Sequence, residues 1–140
     1  MAGVGWVTGR LLYDLVTGSP AVNAPGPLLT AGGIIWVGNA VAFAILYWEL
    51  DSGGPAQRAH QPPRYPDFAF PEQLNPAIAP PDWRATFVDY LYVGFTNATA
   101  FSPTDVMPLA HWAKLTMTVQ SLVSLSVLGL VIARAVNILN

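Results

Sequence analysis

The stretch Leu28–Trp48, LLTAGGIIWVGNAVAFAILYW, contains no charged residue. A bilayer core of ~30 Å is crossed by about 20 helical residues, so this run alone is long enough to span one. Its end reads as an interface. Tyr47 and Trp48 supply amphipathic rings, and Glu49 and Asp51 follow as charges that require water. A second uncharged run, Leu115–Ala133, LTMTVQSLVSLSVLGLVIA, lies between Trp112 and Lys114 on one side and Arg134 on the other. Together the two runs predict an all-α membrane protein with two transmembrane helices, an outer one over 28–50 and an inner one over 108–138 that opens on Pro108 in its first turn.

Composition agrees. Of 140 residues, 53% are hydrophobic and 10% charged, against roughly 25% charged in a soluble domain. Mean hydropathy is +0.43. Too few ionised groups are present to cover a water-facing surface, so a lipid bilayer is the expected partner. The formal net charge of −2 gives no basis for nucleic-acid binding. With no cysteine, thiolate catalysis, disulfides and Cys-based metal sites are excluded. His60 and His111 lie far apart with no second ligand at metal spacing. Neither a hydrolytic constellation nor a Gly-rich phosphate loop is visible, so no enzyme and no cofactor are expected.

Residues 1–26 form a separate N-terminal segment. Arg10 interrupts the apolar stretch that a cleaved signal peptide would need. Val4–Val16 reads as a short helix with Trp6, Leu11, Leu12 and Leu15 apolar: interfacial, the tail of a preceding helix, or an ordinary surface helix or frayed terminus. Pro20, Pro25, Gly26 and Pro27 then mark a break.

Between the spans, 51–82 carries SGGP, QPPRYP, FPEQLNP and APPD. Proline at that density opposes helix and sheet interiors. Tyr65, Phe68, Phe70 and Leu74 nevertheless give the segment apolar anchors, so it is expected to pack as an ordered cap. Asp82 is the expected N-cap of a helix over 83–99, too short to span and carrying Arg84, Asp89 and Asn97. This half-helix is expected to re-enter the membrane rather than lie on its surface. Arg84 and Asp89 suit an ion pair or cap contacts.

The string Tyr92–Trp112, YVGFTNATAFSPTDVMPLAHW, resembles the pore region of the potassium-channel superfamily: pore helix, selectivity filter, inner helix. On that resemblance Thr99 and Ala100 match the filter's two threonines, Phe101 its valine, Ser102 and Thr104 its two glycines, Pro103 its tyrosine, and Asp105 its aspartate. Val106 and Pro108 match the residues that follow, and Gly129 falls where a hinge glycine often lies. The chain is also similar to bacterial membrane proteins in which further transmembrane helices precede this pore-like unit. The resemblance implies a channel-like pore domain over 27–139, with a filter-like loop at 99–105. It implies a homotetramer in the bacterial cytoplasmic membrane, the cap outside, and a permeant monovalent cation such as K+ or Na+. Where the family has glycines that aim carbonyls at dehydrated ions, Ser102 and Thr104 carry Cβ atoms and Pro103 fixes φ near −65°. That predicts a differently lined constriction with weak or altered potassium selectivity, or a non-conducting membrane scaffold or accessory subunit that retains the architecture.

Thr116, Gln120 and Ser124 recur every four residues and so share one helix face. They suit either the lining of a cavity or hydrogen bonds between helices. Asn97-Ala98-Thr99 matches the glycosylation sequon, which a buried helix end makes a coincidence.

Overall fold

The computed structural model describes residues 6, 7, 9, 10, 13, 14, 25–61, 65–75, 77–100 and 105–139. Two long antiparallel helices form its frame: α1, Pro25–Leu50, and α5, His111–Leu139. Between them come two short helices, α2 (Pro55–His60) and α3 (Pro71–Leu74), the strand β1 (Phe68–Ala69), the helix α4 (Phe87–Ala100) and the strand β2 (Met107–Pro108). At 1.5 Å per residue, α1 and α5 measure about 40 Å. Both are long and apolar enough to cross a membrane, with mean hydropathies of 1.8 and 1.9 over Gly26–Gly53 and His111–Asn137.

Several boundaries differ from the sequence reading, each for a local reason. α1 begins at Pro25, not Leu28, because Pro25 and Pro27 occupy its first turn, where a proline's missing N–H costs nothing. Prolines likewise open α2 and α3, so the proline-rich cap starts helices as well as breaking them. α4 begins at Phe87 rather than Trp83. Its cap is Thr86, whose N–H and Oγ1 both donate to the Asp89 carboxylate at 2.6 and 2.8 Å, and not Asp82. α5 begins at His111 because Pro108 belongs to an antiparallel ladder, paired with Phe68 while Met107 pairs with Ala69. This two-residue ladder is the one departure from an all-α fold among the described residues.

Where α1 ends, the chain reverses through Ser52, Gly53 and Gly54 at φ of 54°, 82° and 94°. A Cβ on Gly54 would also stand 2.9 Å from Glu49 O. Phe68 and Phe70 then anchor the cap, both buried against Tyr47 and Tyr90, whereas Tyr65 and Leu74 are exposed. Phe68 stacks edge-on with Tyr90 and Trp112, and Phe70 with Tyr90.

α4 descends from this cap along α1. Gly94 allows the close crossing: a Cβ there would lie 2.6 Å from Ala40 O and 3.2 Å from Ala44 Cβ. At its lower end Trp36 Nε1 donates to Ala98 O (3.3 Å), and Asn97 reaches Met117 O (3.0 Å). The helix therefore stops part-way along both long helices. By β2 the chain is back at the cap, where Leu109 N and Ala110 N donate to Asp67 O. Farther from the cap, α1 and α5 continue as a pair through Leu28, Ile35, Val127 and Val131.

The interior is mainly apolar but holds several polar side chains, and the outer faces of the long helices are apolar as well. Asn39, Asn97, Gln120 and Ser124 are buried, while Ile34, Val37, Val41, Ile45, Leu115, Val119, Leu122, Leu125, Leu128 and Ile132 are exposed. Lipid as the surrounding solvent favours that arrangement.

Candidate functional site

Four helix-borne side chains fix where α4 ends. Gln120 Oε1 accepts from Tyr47 Oη and Asn97 Nδ2, both at 2.7 Å, and Gln120 Nε2 donates to Gly94 O at 2.7 Å. Ser121 Oγ donates to Asn97 Oδ1 at 3.2 Å. One turn farther along, Asn39 Nδ2 donates to Ser124 Oγ at 2.8 Å. The knot ties all three long elements together and satisfies polar groups that would otherwise be costly to bury.

Beyond that knot the last turn of α4 has few side-chain partners among the described residues. Thr96 and Thr99 return their hydroxyls to their own helix, at Tyr92 O and Phe95 O. Among the described residues Trp36 gives the side-chain bond to a carbonyl of this turn. Such a helix end carries partial negative charge. Beside it an apolar cleft of 340 Å³ opens between α1 and α5, with Gly32, Gly33 and Trp36 on one wall and Val127 and Val131 on the other.

No family model, curated protein or solved structure matches this chain.

Of the filter-like loop, Thr99 is exposed at the end of α4, Ala100 is its last residue, and Asp105 is exposed on the way back to the cap. Phe101, Ser102, Pro103 and Thr104 lie outside the described residues. Of the two readings open for the polar face of α5, Gln120 and Ser124 adopt hydrogen bonding between helices. Both are buried within the chain, Ser124 bonded to Asn39 of α1 and Gln120 to Tyr47 of α1 and to α4. Thr116 bonds back to Trp112 O and Ala113 O. Gly129 sits in unbroken helix, and apart from its own helix backbone no described residue comes within 4 Å of where its Cβ would be. Arg84 and Asp89 make cap contacts rather than an ion pair with each other: Arg84 Nη1 donates to Ala59 O, and Asp89 accepts from Thr86.

A second polar centre lies in the cap, at Asp51. Its carboxylate is 2% exposed and accepts from Ser52 Oγ, from the N–H groups of Asp67 and Phe68, and from Tyr90 Oη. Asp67 returns the contact by accepting from Ser52 N at 2.8 Å. Arg58 closes the end of α1 by donating to Trp48 O and Asp51 O, and lies 5.0 Å above the Tyr90 ring. Burial, and then the hydrogen bond to Asp51, push the Tyr90 phenol well above its ordinary value, so it remains a donor. Sequence reasoning took Asp51 as an interface charge and Tyr47 as an interfacial ring, and gave neither Tyr90 nor Asn39 a polar role. Asn39 had a legible signal, as an amide inside an apolar span.

Proposed function

We propose that this chain is an integral membrane protein whose α4 is a re-entrant half-helix. In a homotetramer, four such units enclose a channel-like pore for monovalent cations, with weak or altered potassium selectivity. One observation carries this reading: α4 runs from the cap to part-way along α1 and α5, ends there with its carbonyls, and is followed by a return to the cap. In a bilayer, a helix end at that depth is tolerated only when its open carbonyls are covered by protein or line water. One chain with two spans cannot enclose an axis, so further copies must supply the cover. The partial negative charge of the helix end favours a cation there.

The oligomeric state tests this first. Native mass spectrometry in lipid discs is expected to give a tetramer, and reconstituted vesicles are then expected to pass K+ and Na+ down a gradient. A stable monomer or dimer would leave no closed axis and would sink the pore.

A non-conducting scaffold is the second reading, and the surface of α5 favours it. With Gln120 and Ser124 turned inward, the exposed arc is dominated by Leu115, Val119, Leu122, Leu125, Leu128 and Ile132, which offers an aqueous cavity little to bind. A tetramer that passes no ion would select this reading.

A further inference from the structure

A cavity of 310 Å³ opens in the cap, where the end of α1 meets α2 and the segment that precedes α4. Its volume falls in the ~300–1,000 Å³ range of small-ligand sites. Trp48 and Trp83 give it apolar walls, and Arg58, Arg84, Asp51 and Asp82 give it charge.

Those charges are not equally available. The Asp51 carboxylate is already committed to Ser52, Asp67, Phe68 and Tyr90. Among the described residues each arginine donates hydrogen bonds through a single nitrogen, and the Arg58 guanidinium also lies over the Tyr90 ring. Arg58 Nη1 donates to Trp48 O and Asp51 O, and Arg84 Nη1 to Ala59 O at 2.6 Å and Arg58 O at 3.4 Å. A guanidinium presents five N–H donors in a planar fork, so most donors of both forks bond no other described residue while the backbone contacts hold them in place. Asp82 is exposed, and its carboxylate bonds no other described residue.

We propose that this cavity holds the headgroup of a zwitterionic aminophospholipid, with its phosphate on Arg58 and Arg84 and its ammonium on Asp82. Guanidinium forks match phosphate oxygens in geometry and charge. The two arginines and two aspartates sum to no net charge, which selects a ligand bearing both signs over a bare anion. The cavity also adjoins Trp48, at the end of the apolar run of α1, where lipid headgroups lie if α1 spans the bilayer. The inference therefore rests on the membrane reading proposed above.

The full chain is reconstituted in discs of equimolar phosphatidylethanolamine and phosphatidylglycerol, and lipids retained after mild delipidation are counted by native mass spectrometry. Phosphatidylethanolamine is expected in excess. Arg84→Gln is expected to lower its retention about tenfold, the loss of one charge-assisted contact, and Asp82→Asn to abolish the preference over phosphatidylglycerol. Both positions are exposed, and unchanged helical circular dichroism shows that the variants fold. Millimolar inorganic phosphate is expected to leave the lipid in place; displacement would make the site one for free oxyanions and overturn the proposal. Equal retention of the two lipids by wild type and both variants would overturn it as well. If the chain inserts but retains no lipid, only this inference fails; if it does not insert, the membrane reading fails.

Discussion

Asn97 of α4 and Gln120 of α5 meet amide to amide at 2.7 Å, and Gln120 also takes the Tyr47 hydroxyl of α1. One side chain thus completes hydrogen bonds to both neighbouring helices. Gln120→Leu would leave Tyr47 and Asn97 each short of a partner in the driest part of the fold. A lost partner costs ~1–3 kcal/mol in a soluble core, while membrane hydrogen bonds average ~0.6 kcal/mol. A destabilisation of about 2 kcal/mol is expected, read by denaturant titration in mixed micelles. Thr118→Ala, which removes an exposed bond to Lys114 O, is the control. Equal effects of the two substitutions would show that the knot contributes nothing.

Two glycines make opposite predictions. Gly94→Ala must force α4 off α1, because the new methyl would stand 2.6 Å from Ala40 O with only backbone to yield. A loss of several kcal/mol, typical of overpacking against a rigid neighbour (~1–3 or more), is expected in the same titration. Gly129→Ala meets no described residue beyond its own helix within 4 Å and gains up to ~1 kcal/mol of helix propensity. A Gly129→Ala protein that is less stable than wild type would contradict the unbroken, unpacked helix seen there.

The two long helices were legible because run length and the absence of charge are one-dimensional signals. Pro25 and Pro108 were misjudged for opposite reasons. One fits a first helical turn, and the other is drawn out of the helix by pairing with Phe68, a partner forty residues away that no local pattern displays. The repeat Thr116, Gln120, Ser124 announced a face turned from lipid, but whether that face met water or another helix depended on where Asn39, Tyr47 and Asn97 would come to lie. Asp51 was hidden in the same way. Beside Glu49 it looked like one more interfacial charge, and only the return of Asp67, Phe68 and Tyr90 makes it the centre of the cap.

That cap centre has an alkaline signature. The folded protein holds Tyr90 protonated, with its pKa raised by burial and by Asp51, while an unfolded tyrosine titrates near ~10. Its contribution is therefore fully present below pH ~10 and declines as pH rises toward the folded value, by up to ~1.4 kcal/mol per unit. Tyr90→Phe is expected to flatten this alkaline limb while costing about 1 kcal/mol at neutral pH for the lost hydroxyl. Stability measured from pH 7 to 11.5 checks it, and parallel limbs in the two proteins would exclude the assignment.

On the proposed pore reading, Asp105 and Thr99 are the described residues of the filter-like loop that a flux measurement can test. Asp105 is exposed between the end of α4 and β2, and Thr99 is exposed on the last turn with its hydroxyl on Phe95 O. If ions enter through the loop between them, an Asp105 ring concentrates cations at its mouth, an effect that salt screens over ~10 Å at 0.1 M. Asp105→Asn is expected to lower cation flux several-fold at low ionic strength and little at ~1 M, where screening falls to ~3 Å. Thr99→Val keeps the shape but removes the hydroxyl, and on the same proposal is expected to change the K+/Na+ flux ratio without changing the oligomeric state. Flux that ignores both substitutions at every salt concentration would move the conduction path elsewhere, since the loop could then be neither its mouth nor its narrowest part.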